Sequence, residues 1–218
     1  MITIPLILPL LPLLGWGLGI LLGGIGIAAV AGAFEDPKKN KLGILGMQQA
    51  GKTRFLDFLR NRPFMEGSSG RNSYPEFKYK LPITGKEITI SSGKDLGGGA
   101  IYRGDYNSIL DNNDVIVYFF DIDKYLKNEL DFDKIPYQRS CNSRFEHIYS
   151  NIKISKKPTL IIATHKDKCR FSENEMKQEL DALIKDKPYK DLLEEVQYVN
   201  LTNNEEVRGL VNKIFNKK

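Results

Sequence analysis

The sequence predicts an α/β fold, a mostly parallel sheet flanked by helices, preceded by an apolar N-terminal transmembrane helix. Three observations carry the α/β expectation. Two unbroken apolar runs, Val115 to Phe120 and Thr159 to Ala163, are bounded by turn signals, as parallel strands buried on both faces are. Stretches of helical periodicity lie between and after them. A strand-like run, Lys41 to Leu45, leads directly into Gly46-Met47-Gln48-Gln49-Ala50-Gly51-Lys52-Thr53 and then into a helix-like run, Arg54 to Arg60.

In chain order, the first feature is an N-terminus without charge: no charged side chain occurs from Met1 to Phe34, and the first is Glu35. A helix crossing a bilayer needs about 20 apolar residues, so this run is long enough. Pro5, Pro9 and Pro12 make its first third irregular, because proline removes a helix donor, and the cleaner helical span is Leu13 to Ala33. A secretory signal peptide is the competing reading, favoured by the small residues Ala31-Gly32-Ala33. It is opposed by the absence of a basic start and by the length of the run. Lys38, Lys39 and Lys41 follow the span, which places the remainder of the chain in the cytosol by the positive-inside rule. Gly15, Gly19 and Gly23 repeat a G-x-x-x-G spacing, and Gly24, Ala28 and Gly32 continue small residues on a neighbouring line. Such stripes suit helix–helix contact in lipid, with a second copy or with a partner's transmembrane helix. The division expected is therefore 1–34 anchor, 35–41 basic junction and 42–218 globular domain.

That domain has the length of one unit with a good core. Its net charge of +5 is a modest excess, and nothing in it resembles a nucleic-acid motif. Cys141 and Cys169 lack metal-ligand spacing and are expected to be reduced thiols, and His147 and His165 make no metal pair. After the Arg54 helix comes a polar loop, Asn61 to Glu76. Phe77, Tyr79, Leu81 and Ile83 alternate as in a strand, and Ile88 to Ile90 follows across a Thr84-Gly85 turn, which predicts a hairpin. Phe145, Ile148, Tyr149 and Ile152 form one helical stripe. Met176, Leu180, Leu183 and Ile184 form another, opened by Ser172 and Glu175 as a capping box, and Val207, Leu210, Val211 and Ile214 form the last. In such a sheet ligands bind at the carboxyl ends of the strands.

The spacing of Gly46 to Thr53 is that of a phosphate-binding P-loop. Backbone N–H groups of Gly46, Gln49, Ala50, Gly51, Lys52, Thr53 and Arg54 are placed to surround phosphates, at a helix N-terminus that adds partial positive charge. The Lys52 ammonium reaches the β and γ phosphates, and the Thr53 hydroxyl is a ligand for Mg²⁺. Three further pieces sit at strand ends. Asp95-Leu96-Gly97-Gly98 offers an acid that can hold Mg²⁺ through water and, at Gly98, an N–H for a γ-phosphate. In Thr164-His165-Lys166-Asp167, the aspartate can accept from guanine N1–H and the exocyclic amine. Val199-Asn200-Leu201-Thr202 ends the last predicted strand, Gln197 to Asn200, and backbone amides there can meet the guanine carbonyl.

With these four motifs in order, the chain resembles the small GTPase family over essentially all of Leu42 to Phe215. The Asp-x-Gly-Gly form is most similar to the Arf/Sar branch. The fusion to a membrane helix resembles, in architecture, the signal recognition particle receptor β subunit. The Thr-His-x-Asp form also occurs in Roc-type GTPase domains. The resemblance implies a three-layer P-loop G domain with a mostly parallel six-stranded sheet, binding of GTP and GDP with Mg²⁺, and a membrane-anchored switch that recruits a cytosolic partner. It gives Lys52 the β and γ phosphates, Thr53 and Asp95 the metal, Gly98 the γ-phosphate and Asp167 the guanine.

Departures from the family pattern bear on mechanism. Gly99 stands where the family usually has the glutamine that orients attacking water, so slow intrinsic hydrolysis is expected. Gln48, in the P-loop, either substitutes for that glutamine or blocks the γ-phosphate site. His165 replaces a lysine that packs across the base, and stacking is its expected role. The metal ligand of the first switch loop is not identifiable by motif. Ser73 lies nearest the expected spacing, with Ser68 and Ser69 as alternatives. Two other classes compete: a receptor or scaffold subunit that holds GTP with negligible hydrolysis, favoured by Gly99, and a P-loop ATPase or kinase, for which Asp167 would be incidental.

Overall fold

The computed structural model describes residues 24–63, 73–81, 85–94 and 103–215. Strand β1 (Lys41–Gly46) lies inside a six-stranded sheet between β4 (Glu87–Ile90) and β6 (Val115–Asp121). Beyond β6 follow β7 (Thr159–Thr164) and β8 (Gln197–Val199), all parallel. The outer strand β3 (Phe77–Lys80) runs antiparallel to β4, with Phe77 opposite Ile90 and Lys80 opposite Glu87. This is the expected hairpin, and Gly85 turns it at φ +69° while its N–H donates to the Leu81 carbonyl (2.9 Å). The register pairs Leu42 with Val115 and Asp121 with Thr164, so the carboxyl ends of β1, β6 and β7 lie side by side.

Every residue of β6 and of β7 is buried. An uninterrupted apolar strand is stable only where helices cover both of its faces, which is why these runs were legible as parallel strands. Helix α2 (Lys52–Leu59) follows β1, and α3 (Arg103–Asn112) packs on it. After β6 come α4 (Ile122–Lys127) and α5 (Tyr137–Ser155), then α6 (Glu173–Ile184) after β7 and α7 (Asn204–Phe215) after β8. The α5 stripe is buried as expected, with Phe145 edge-on to Tyr118 (5.5 Å) and Phe120 (5.4 Å). The capping box at Ser172 and Glu175 is formed, and Met176, Leu180 and Ile184 are buried, whereas Leu183 faces outward. The polar loop read from Asn61 to Glu76 holds a two-residue strand, β2 (Ser73–Tyr74), paired antiparallel with β5 (Gly93–Lys94).

The end of the apolar N-terminal run departs from the expectation. A continuous helix from Leu13 to Ala33 does not form through residues 24–26. Gly24 and Gly26 adopt φ +86° and +96°, conformations that interrupt a helix, and Ile25 pairs with Thr159 at the start of β7. Helix α1 begins only at Ile27 and ends at Ala33. Its Val30, Ala33 and Phe34 enter the same core as the sheet, and the Phe34 ring meets Phe215 of α7 at 5.3 Å. The Lys86 ammonium fastens the following turn by donating to the carbonyls of Phe34 (2.6 Å), Asp36 (2.7 Å) and Lys39 (3.1 Å). These residues are uncharged because they fill a protein core, a cause that composition cannot separate from burial in lipid. Gly24 thus lies off the helix that carries Ala28 and Gly32. Residues 1–23, with Gly15, Gly19 and Gly23, lie outside the described residues. Among the described residues, no helix is long and apolar enough to cross a membrane.

Candidate functional site

The loop from Gly46 to Gly51 is shaped by two glycines. Gly46 adopts φ +153°, and a Cβ there would lie 2.4 Å from the Phe119 carbonyl oxygen. The backbone passes this close because Met47 N–H donates to that same oxygen at 2.8 Å, hanging the loop on β6. Gly51 adopts φ +81° as the N-cap of α2, and a Cβ there would lie 2.4 Å from Leu201 Cδ1. Gln49 between them is also left-handed, at φ +60°. No side chain caps α2 and no acid occupies its first turn, so the positive end of the helix faces the loop uncompensated. Lys52 is only 4% exposed, and its ammonium folds back to donate to the Gly46 (3.1 Å) and Met47 (2.6 Å) carbonyls. A glycine cradle, a helix N-terminus and a buried ammonium suit a polyphosphate, and the residues present fit that group.

The neighbouring loops are tied to this one. Thr164 is fully buried, and its hydroxyl reaches the carbonyls of Ala50 (3.2 Å) and Phe120 (3.0 Å). His165 is left-handed at φ +60°, with Nδ1 3.1 Å from both the Thr164 hydroxyl and Asp121 Oδ2. Burial works to raise the Asp121 carboxyl. The His165 hydrogen bond and charge and the Lys124 N–H outweigh it and hold the group below its ordinary value. The other Asp121 oxygen accepts that Lys124 N–H at 3.0 Å and caps α4. Asp167 stands exposed on the short 3₁₀ turn Lys166–Lys168, which His165 opens. Lys166 points the other way, to Glu206 (2.8 Å) and Glu173 (3.4 Å).

The loop after β8 holds its shape by its own contacts. Asn200 N–H donates to Glu206 at 3.0 Å, and the Asn200 side-chain oxygen accepts Thr202 N–H at 2.8 Å. The buried Leu201 covers Gly51, and its carbonyl accepts from Arg54 Nε at 3.0 Å. Arg54, expected to offer a backbone N–H to phosphate, therefore uses its side chain to fasten α2 to this loop, reaching Asn204 as well (3.2 Å). With Asn200 N–H engaged by Glu206, Leu201 is the residue of the pair that borders the P-loop.

On its other side the P-loop borders a cleft of about 130 Å³, lined by Gln48, Gln49, Lys124, Leu130, Phe132 and Tyr137 among others. Gln49 Oε1 accepts from Lys124 at 3.2 Å. Among the expected metal and γ-phosphate residues, Thr53 is the second residue of α2. Ser73 lies in β2, and Asp95, Gly98 and Gly99 lie outside the described residues. Sequence reasoning missed the Asp121–His165 pair and the Lys124–Gln49 contact. Asp121 lies 44 positions from its partner, and that separation leaves no local periodicity to read.

No family model matches this chain, and no curated protein does. Solved structures do match it. The Arl6 BBS3 small GTPase from Trypanosoma brucei, with bound nucleotide analogue GppNp, aligns at 17% identity with a TM-score of 0.53, over 81% of this chain and 95% of that one. A substitution variant of SsGBP aligns at 16% identity with a TM-score of 0.51, over 83% of this chain. The present chain spans 57% of the SsGBP chain's length. The fold is that of a small GTPase G domain.

Proposed function

We propose that this chain is a membrane-anchored guanine-nucleotide-binding protein, a GTP/GDP switch with slow intrinsic hydrolysis that recruits a protein partner to the bilayer. The observation that carries the nucleotide reading is the convergence of three loops at the carboxyl ends of β1, β7 and β8. The P-loop cradle, the Thr164–Asp167 turn and the Leu201 loop are bonded to one another by Thr164 and Arg54. Spacing along the chain placed these motifs at strand ends, and their mutual contact supports one shared ligand. The bound analogue in the Trypanosoma brucei relative supports the same reading.

Each residue then has a task. Lys52 leaves the loop carbonyls to neutralise the phosphates, and the amides of Gln49 and of Gly51 to Arg54 cradle them, while the Ala50 N–H stays with the Met47 carbonyl (3.3 Å). Asp167, exposed at the mouth, accepts from the guanine edge, while Asp121 fixes the His165 ring against the base. A nucleotide with Mg²⁺, held by Thr53, Asp95 and a switch-loop oxygen such as Ser73, would supply the scissile anhydride and the charge that stabilises its cleavage. Gly99 offers no side chain to orient water, which makes hydrolysis slow unless a partner contributes groups. Residues 1–23 contain no charged side chain and number roughly the 20 that a membrane span needs, with Pro5, Pro9 and Pro12 kinking the first half. They are the proposed anchor, with the domain on the cytosolic side.

The test is a fluorescent-nucleotide titration of residues 24–218 with Mg²⁺, competed by GTP, GDP and ATP, with Lys52→Ala and Asp167→Ala alongside. Displacement by guanine nucleotides alone, with affinity reduced at least roughly 10²-fold by loss of Lys52, supports the proposal. Equal displacement by ATP with Asp167→Ala unaffected overturns the guanine assignment.

A further inference from the structure

Lys52 donates to two carbonyls that it must abandon to meet a phosphate, those of Gly46 and Met47. A buried carbonyl left without a donor is costly, so each needs a second partner. The Met47 carbonyl already accepts from Ala50 N–H (3.3 Å). The Gly46 carbonyl has a second donor too, the hydroxyl of Tyr106 at 3.4 Å. Tyr106 is 5% exposed and comes from α3, the helix entered directly from the segment that carries Asp95, Gly98 and Gly99. Behind it stands the Arg144 guanidinium of α5, in hydrogen-bond reach of the Tyr106 oxygen. An arginine donating to that oxygen polarises the phenol and turns its proton toward Gly46.

We infer that Tyr106 is a positioning residue that takes over the Gly46 carbonyl when Lys52 withdraws to a bound phosphate. The inference rests on the proposed nucleotide site. Its long 3.4 Å contact is that of a donor sharing an acceptor with the ammonium, and it shortens once Lys52 leaves.

The chemistry gives a signature that a merely structural tyrosine lacks. In the nucleotide-free protein the Gly46 carbonyl keeps Lys52, so Tyr106→Phe, which preserves the ring and its packing, lowers the melting temperature only by the loss of the Arg144 contact. In the bound protein the same substitution strands the carbonyl, and nucleotide affinity falls roughly 5- to 50-fold. In a Lys52→Ala background the carbonyl depends on Tyr106 at all times, and adding Tyr106→Phe lowers the nucleotide-free melting temperature by about 3 °C more than in the parent. The experiment is this double-mutant cycle by calorimetric melting without nucleotide, followed by fluorescent GDP and GTP-analogue titrations of the parent and Tyr106→Phe. Equal melting shifts from Tyr106→Phe in both backgrounds overturn the shared-carbonyl inference whatever the ligand is. A positive cycle with no guanine-nucleotide binding by the parent overturns the nucleotide site and, with it, the Tyr106 role in ligand binding. A positive cycle with unaltered nucleotide affinity overturns the handover alone.

Discussion

Gly46 shows how much one residue decides at the site. Its φ of +153° belongs to glycine, and a methyl group would be forced within 2.4 Å of a backbone oxygen that cannot rotate away. Gly46→Ala is expected to cost about 3 kcal/mol or more, read as a fall of roughly 6–12 °C in melting temperature. Asp121 makes a prediction in pH. A carboxyl held low contributes stability that is fully present above its ordinary value of 3.8 and is lost as pH falls through its lower folded value. Asp121→Asn keeps the α4 cap but removes the charge facing His165. Its melting temperature is expected to fall at pH 7 and to approach the parent's as pH drops below 3.8 and through the lowered folded value, and a difference that does not change with pH refutes the assignment. For hydrolysis, Gly99→Gln is expected to raise the single-turnover rate roughly 10²-fold, the contribution of a placed water-orienting group. A rate no faster than the parent's sinks the account of slow turnover. At this scale the P-loop was legible because its residues are consecutive. The Asp121–His165 pair was not, because its members meet only across two strands.

Among the elements, α1 carries the sharpest consequence. It docks Val30, Ala33 and Phe34 into the core and meets Phe215 near the end of α7. Beginning the protein at residue 35 removes this helix and exposes the apolar surface it covers. A fragment of residues 24–218 is therefore expected to melt roughly 10 °C or more above a fragment of residues 35–218. Equal melting temperatures would show that α1 contributes nothing to the domain. The strands β6 and β7 and the helix stripes were readable because each is periodic or continuous within a short window. The paired strands β2 and β5 were not, because two residues in a polar loop carry no period and exist only through each other.

For the whole molecule, the issue is where the uncharged N-terminal run ends and the domain begins. The proposed anchor now rests on residues 1–23 rather than on the run to Ala33. The full chain is expected to remain in the membrane pellet after an alkaline carbonate wash, and the chain without residues 1–23 to move to the supernatant. Release of the full chain by that wash refutes a spanning anchor. The sequence by itself determined the α/β class, the P-loop, the order of motifs at strand ends and the presence of a long uncharged N-terminus, because each is written in consecutive or periodic residues. Only the tertiary structure decided that residues 24–34 belong to the domain core, that Thr164, Arg54 and Asp121 join separate loops into one site, and that Lys52 and Tyr106 converge on a single carbonyl. Burial in protein and burial in lipid select the same residues, and contacts between distant segments depend on how the sheet brings their ends together, which no local pattern encodes.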